Sequence, residues 1–129
     1  NGGAGIDLRP RDLAKLGQLF LQGGVSGDRR ILSEAWIQEA TAPAFGWRVP
    51  FSPLPAISYG YLWWTSDDAR GDAFMAWGYG GQFLYVVPSL NLVVVATTEW
   101  RGASAEEGSD AVEAAVLDVI VNHIVAAVR

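Results

Sequence analysis

The chain has 129 residues, half of them hydrophobic and 12% aromatic, with a formal charge of -5 from 9 basic and 14 acidic side chains. An acidic balance argues against a nucleic-acid partner, and no apolar run spans a bilayer, because Pro88, Ser89 and Asn91 break one candidate while Asp118, Asn122 and His123 break the other. With no cysteine and one histidine, disulfides, thiolate or His-based metal sites and a cysteine nucleophile are excluded, and neither a metal nor a cofactor is expected.

Pro10 suits the first position of a helix, Asp12 follows in its first turn, and Leu13, Leu16 and Phe20 recur at helical spacing up to Gly23. This predicts a helix over 10–23. Gly27 and Asp28 make a turn, and Ser33 caps a second helix over 33–41 with Trp36, Ile37 and Ala40 on its apolar face. Residues 42–58 carry Pro43, Pro50, Pro53 and Pro55, which fix φ and withhold donors. A long surface loop is expected there, packed down by Phe45, Trp47 and Phe51.

Strands over 59–65 and 73–78 flank an acidic turn at 66–72, and strands over 82–87 and 92–98 form a hairpin through 88–91. Leu92, Val93, Val94, Val95 and Ala96 read as a strand buried on both faces. After a polar loop at 100–108, Ser109 and Asp110 open a helix over 109–128 with Val112, Val116, Val119, Ile120 and Ile124 at helical spacing. The order implies one α+β unit over 1–129, an antiparallel sheet with helices packed on it.

The segment 78–98, GYGGQFLYVVPSLNLVVVATT, is where chemistry is expected, because glycines beside a strand let a substrate lie against bare backbone. Together with RPRDLAKLGQLFLQGG, RRILSEAW and YGYLWW, it resembles the C-terminal part of the serine beta-lactamase-like hydrolases. That group includes class C beta-lactamases, D,D-peptidase-type penicillin-binding proteins, esterases and 6-aminohexanoate-dimer hydrolases. The resemblance implies acyl transfer on an ester, amide or lactam, with a Ser-x-x-Lys nucleophile, a Tyr-x-Asn or Ser-x-Asn second motif and a Lys-Thr-Gly-type third motif. Tyr79, Gly80 and Gly81 fall at the third motif. The backbone N–H of Gln82 then supplies half of an oxyanion hole, with Gly80, Gly81, Trp77 and Trp47 beside a small-molecule acyl substrate.

Ser-x-x-Lys is absent, since Asp12 stands three residues before the single lysine, Lys15. The chain alone is therefore expected to be inert, its partner being a missing N-terminal part of the same protein or a second copy. Ser89-Leu90-Asn91 matches Ser-x-Asn only as a string and reads as turn chemistry. The plainer reading of the glycines is a strand bulge, and of Trp36 and Trp100 ordinary core or interface packing. Trp47, Trp63, Trp64 and Trp77 are candidates to line a pocket, with Trp63 and Trp64 on opposite faces. A reading of another class is a non-catalytic binding or scaffold module that grips its ligand with the aromatic loop and the strand tryptophans.

Overall fold

A computed structural model describes residues 5–68, 71–99 and 108–128. Helix α1 is Pro10–Leu21, with Pro10 in its first turn and Gly23, at φ 63°, just beyond its end. Next come β1 (Val25–Ser26) and β2 (Arg29–Arg30), a short antiparallel pair, and then α2 (Glu34–Ala40). The Ser33 hydroxyl accepts from the Trp36 N–H at 3.1 Å, the N-cap expected of it. Six further strands run in sequence order as an antiparallel meander: β3 (Val49–Phe51), β4 (Leu54–Tyr59), β5 (Trp64–Asp68), β6 (Gly71–Gly78), β7 (Gln82–Val87) and β8 (Leu92–Ala96). Helix α3 (Gly108–Asp118) follows and continues as a π-helical stretch, Val119–Val125, where a uniform α-helix was expected. The expected polar loop at 100–108, with Trp100, lies outside the described residues apart from Gly108.

The helices cover both faces of the sheet, which makes the fold α+β with an antiparallel sheet at its centre. On one face Phe74, Leu84 and Val86 pack with Phe20 of α1 and with Ile37 and Ala40 of α2. On the other, Met75, Phe83, Tyr85 and Val87 pack with Leu117, Ile120, Val121 and Val125. Gly17 marks the closest approach of α1, since a Cβ there would stand 2.7 Å from Leu84 Cδ1 and 2.8 Å from Val93 Cγ1. A mid-helix glycine weakens a helix by about 1 kcal/mol against alanine, and here it lets the helix sit down on β7 and β8.

Three expectations about the strands are corrected first. The stretch 42–58 is not all loop, because β3 and β4 join the sheet. Pro50 lies on the edge strand β3, where a missing donor costs least. The pairs Val49↔Ile57 and Phe51↔Leu54 leave Pro55 and Ala56 opposite Pro50 alone, so Pro55 sits in a bulge. The expected strand 59–65 is broken between Tyr59 and Trp64, where Gly60 is buried and Leu62 has φ 65°. Most of the expected turn 66–72 belongs to the hairpin of β5 and β6.

The strand buried on both faces is β7, whose residues from Phe83 to Val87 are all buried, whereas β8 is an edge of the sheet and mostly half-buried. In α3 the buried stripe is Glu113, Leu117, Ile120, Val121 and Val125, while Val119 is 50% exposed and Ile124 37%. The expected stripe of Val112, Val116, Val119, Ile120 and Ile124 is therefore corrected: of these only Ile120 is fully buried, because apolar residues lie on several sides of this helix and a buried glutamate disguises its inward face. Trp36 is likewise outside the core: it is 44% exposed and stacks on Tyr61 with ring centroids 5.7 Å apart.

Candidate functional site

Gly78 pairs with Gln82, so Tyr79, Gly80 and Gly81 are the loop of the β6–β7 hairpin, one step beyond the strand edge expected for them. Gly80 at φ 76° and Gly81 at φ 87° hold left-handed conformations that side chains with a Cβ resist. Both glycines are buried, and only Tyr79 projects, at 65% exposure. The space above Gly81 is filled, because a Cβ there would meet Val116 Cγ2 at 3.1 Å and Thr98 Cγ2 at 3.3 Å.

Beneath the loop lies a polar network built from three elements. Glu113 of α3, only 5% exposed, accepts from the Gly80 N–H through Oε1 at 2.8 Å and from the Trp77 indole N–H through Oε2 at 2.9 Å. Thr98, just after β8, donates its hydroxyl to the Gly80 carbonyl. That hydroxyl in turn accepts from the Gln82 carboxamide at 2.9 Å, and the same nitrogen donates to the Thr98 carbonyl at 3.0 Å. The Thr98 N–H reaches back to Gln82 Oε1 at 3.3 Å. The side chain of Gln82 is thus a brace for the loop.

An aromatic row extends from this network across the sheet face. The Trp77 ring lies 4.4 Å from Phe51, 5.2 Å from Trp64 and 5.9 Å from Phe83, and Trp64 meets Tyr59 at 4.8 Å and Trp47 at 6.0 Å. Trp77 and Trp47 are therefore brought into one row through Trp64. Trp63, immediately before β5, packs on the opposite face from Trp64, against Phe20 and Phe74, the alternation expected of neighbours in extended chain. Trp47 is 39% exposed and Phe45 49%, so the far end of the row is open to solvent.

Lys15 is paired with Asp12 at 2.7 Å on the surface of α1, and His123 with Asp118 at 3.8 Å at the other end of the chain, far in sequence from the loop. Among the described residues no group of three His, Asp or Glu side chains is placed to hold a metal ion, and no helix is long and apolar enough to cross a membrane. Glu113 and Thr98 are the members of the site that sequence reading passed over. A helical repeat through Glu113, Leu117, Ile120 and Val121 is the one signal that could have found the first; nothing local marks the second.

Residues 2–118 match the sequence model of the beta-lactamase family. Over 102 residues the chain is 31% identical to a 6-aminohexanoate-dimer hydrolase of Paenarthrobacter ureafaciens, covering 74% of this chain and 25% of that protein. A solved structure described as a 6-aminohexanoate-dimer hydrolase from Bacillus anthracis superposes with a TM-score of 0.61 at 27% identity, over 91% of this chain and 29% of the other. The chain thus spans about a quarter of the length of these relatives. It belongs to the beta-lactamase family of serine hydrolases and corresponds to its C-terminal part.

Proposed function

We propose that the chain supplies the third-motif hairpin of a serine hydrolase that acts by acyl transfer on an ester, amide or lactam. The observation that carries this reading is the braced β6–β7 loop: a rigid glycine turn, capped by one exposed tyrosine, in a chain of this family. In it the main-chain N–H of Gln82 is one donor of the oxyanion hole, Tyr79 stands at the substrate-facing position of the motif, and Gly80, Gly81, Trp77 and Trp47 shape its surroundings. A preorganised donor stabilises the tetrahedral oxyanion without reorganising during reaction, and loss of one such donor costs about a hundredfold or more in rate.

The nucleophilic serine and its lysine come from outside this chain, from a preceding part of the same protein or from a second copy. Support comes from β8, an edge strand rich in valine, and from the apolar groove beside it lined by Val95, Ala96, Val112, Ala115, Val116 and Val119. Both are surfaces that a further layer of protein would cover. By itself the chain is inert.

A fluorescent fluorophosphonate, which phosphonylates activated serines with loss of fluoride, tests this directly. The isolated chain should remain unlabelled, and the longer protein containing it should be labelled on one serine outside residues 1–129. Labelling of a serine within the isolated chain would refute the assignment. With a boronate analogue bound to the longer protein, the Gln82 amide resonance should move; an unmoved amide removes Gln82 from the hole.

The open end of the aromatic row favours one second reading, a non-catalytic binding module. Replacing Trp47 and Trp64 by alanine would then abolish ligand binding with no reactive serine present in any longer form.

A further inference from the structure

We propose that Glu113 is the positioning residue of the Tyr79–Gly80–Gly81 loop, a two-oxygen acceptor that sets the loop main chain and the Trp77 ring together. The inference rests on the reading of this loop as the third motif. Glu113 reaches the loop from 33 residues away in sequence, and its two oxygens are divided between two donors on different parts of the hairpin. One donor is the main-chain N–H of a buried glycine in a left-handed conformation, the other an indole whose ring anchors the aromatic row.

The chemistry is specific to a carboxylate. Two N–H donors need two acceptor oxygens, and a carboxamide of the same size offers one oxygen and one N–H₂, so a Gln side chain must turn a donor toward a donor. Aspartate keeps both oxygens but is a methylene shorter, on a helix held in place by the neighbouring Leu117, which is fully buried. A charge-assisted hydrogen bond to a buried amide also resists exchange with water better than a neutral one. The Gly80 carbonyl is held separately by Thr98, so the two faces of this peptide segment are tethered by α3 and by the segment after β8.

The test uses proton–nitrogen correlation spectra and amide hydrogen exchange of the 129-residue chain and of Glu113→Gln. In the unaltered chain the Gly80 amide should be among the slowly exchanging loop amides, and rapid exchange there overturns the proposal whatever any variant does. In Glu113→Gln, the Gly80 amide proton, the Trp77 indole proton or both should shift upfield and exchange about tenfold or more faster, while the Asn91 amide at the other end of β7 stays in place. If both protons keep their shifts and protection, Glu113 does not position the loop. Should Glu113→Gln fail to fold, Trp77→Phe removes one donor only: the Glu113 carboxyl-carbon resonance should move while Gly80 stays protected, and an unmoved carboxyl resonance refutes the shared-acceptor arrangement. These signals report the loop whether or not any serine reacts, so failure of the hydrolase reading leaves this outcome interpretable.

Discussion

At one end of β7 the chain turns through Pro88–Leu90, and at the other through Tyr79, Gly80 and Gly81, yet the two turns are held by different physics. The first has local causes: proline sets φ at its start, the Asn91 N–H closes on the Pro88 carbonyl at 3.0 Å, and Asn91 takes the left-handed conformation at φ 51° that asparagine tolerates better than most residues. The second is held from outside itself, by a carboxylate on α3 and a hydroxyl after β8. The glycine loop takes two of its tethers from residues distant in sequence, and this makes it a sensitive report of the assembled fold.

The sharpest way to break that contrast is Glu113→Leu, which leaves the Gly80 and Trp77 N–H groups buried and unsatisfied. With a penalty of about 1–3 kcal/mol for each such group, smaller for the half-buried Trp77, urea unfolding should show a loss of about 2–6 kcal/mol. Gly81→Ala comes next, adding a Cβ at positive φ against Val116 and Thr98, with an expected loss of about 2 kcal/mol in the same measurement. At the local turn, Asn91→Ala should cost only about 1 kcal/mol, and Asn91→Gly should change the unfolding free energy by a few tenths of a kcal/mol at most. If Asn91→Ala proved as damaging as Glu113→Leu, the distinction between a local and a tertiary turn would fail.

Local chemistry made much of this fold legible. Pro10 and Ser33 mark helix starts that the structure keeps, and the β7–β8 hairpin follows from two runs of aromatic, aliphatic and β-branched residues around a proline turn. The β3–β4 hairpin was hidden because its prolines sit at an edge and in a bulge, two places where a strand tolerates them and where single residues give no warning. Trp36 read as apolar packing because a tryptophan on a helix usually buries itself, whereas here it stacks on an exposed tyrosine. The loop of the candidate site was visible as a glycine cluster, and the residues that brace it were not.

What the order of amino acids determined by itself was the set of elements with near-neighbour causes: helix starts, the proline turn, the alternation that parts Trp63 from Trp64, and the glycines that demand a special backbone. What only the tertiary structure decided was which face of α3 turns inward, which strand is buried on both faces, and that Glu113 and Thr98 meet at Gly80. Those outcomes depend on contacts between residues distant in the chain, where burial of a carboxylate becomes tolerable because two donors from another element arrive to satisfy it.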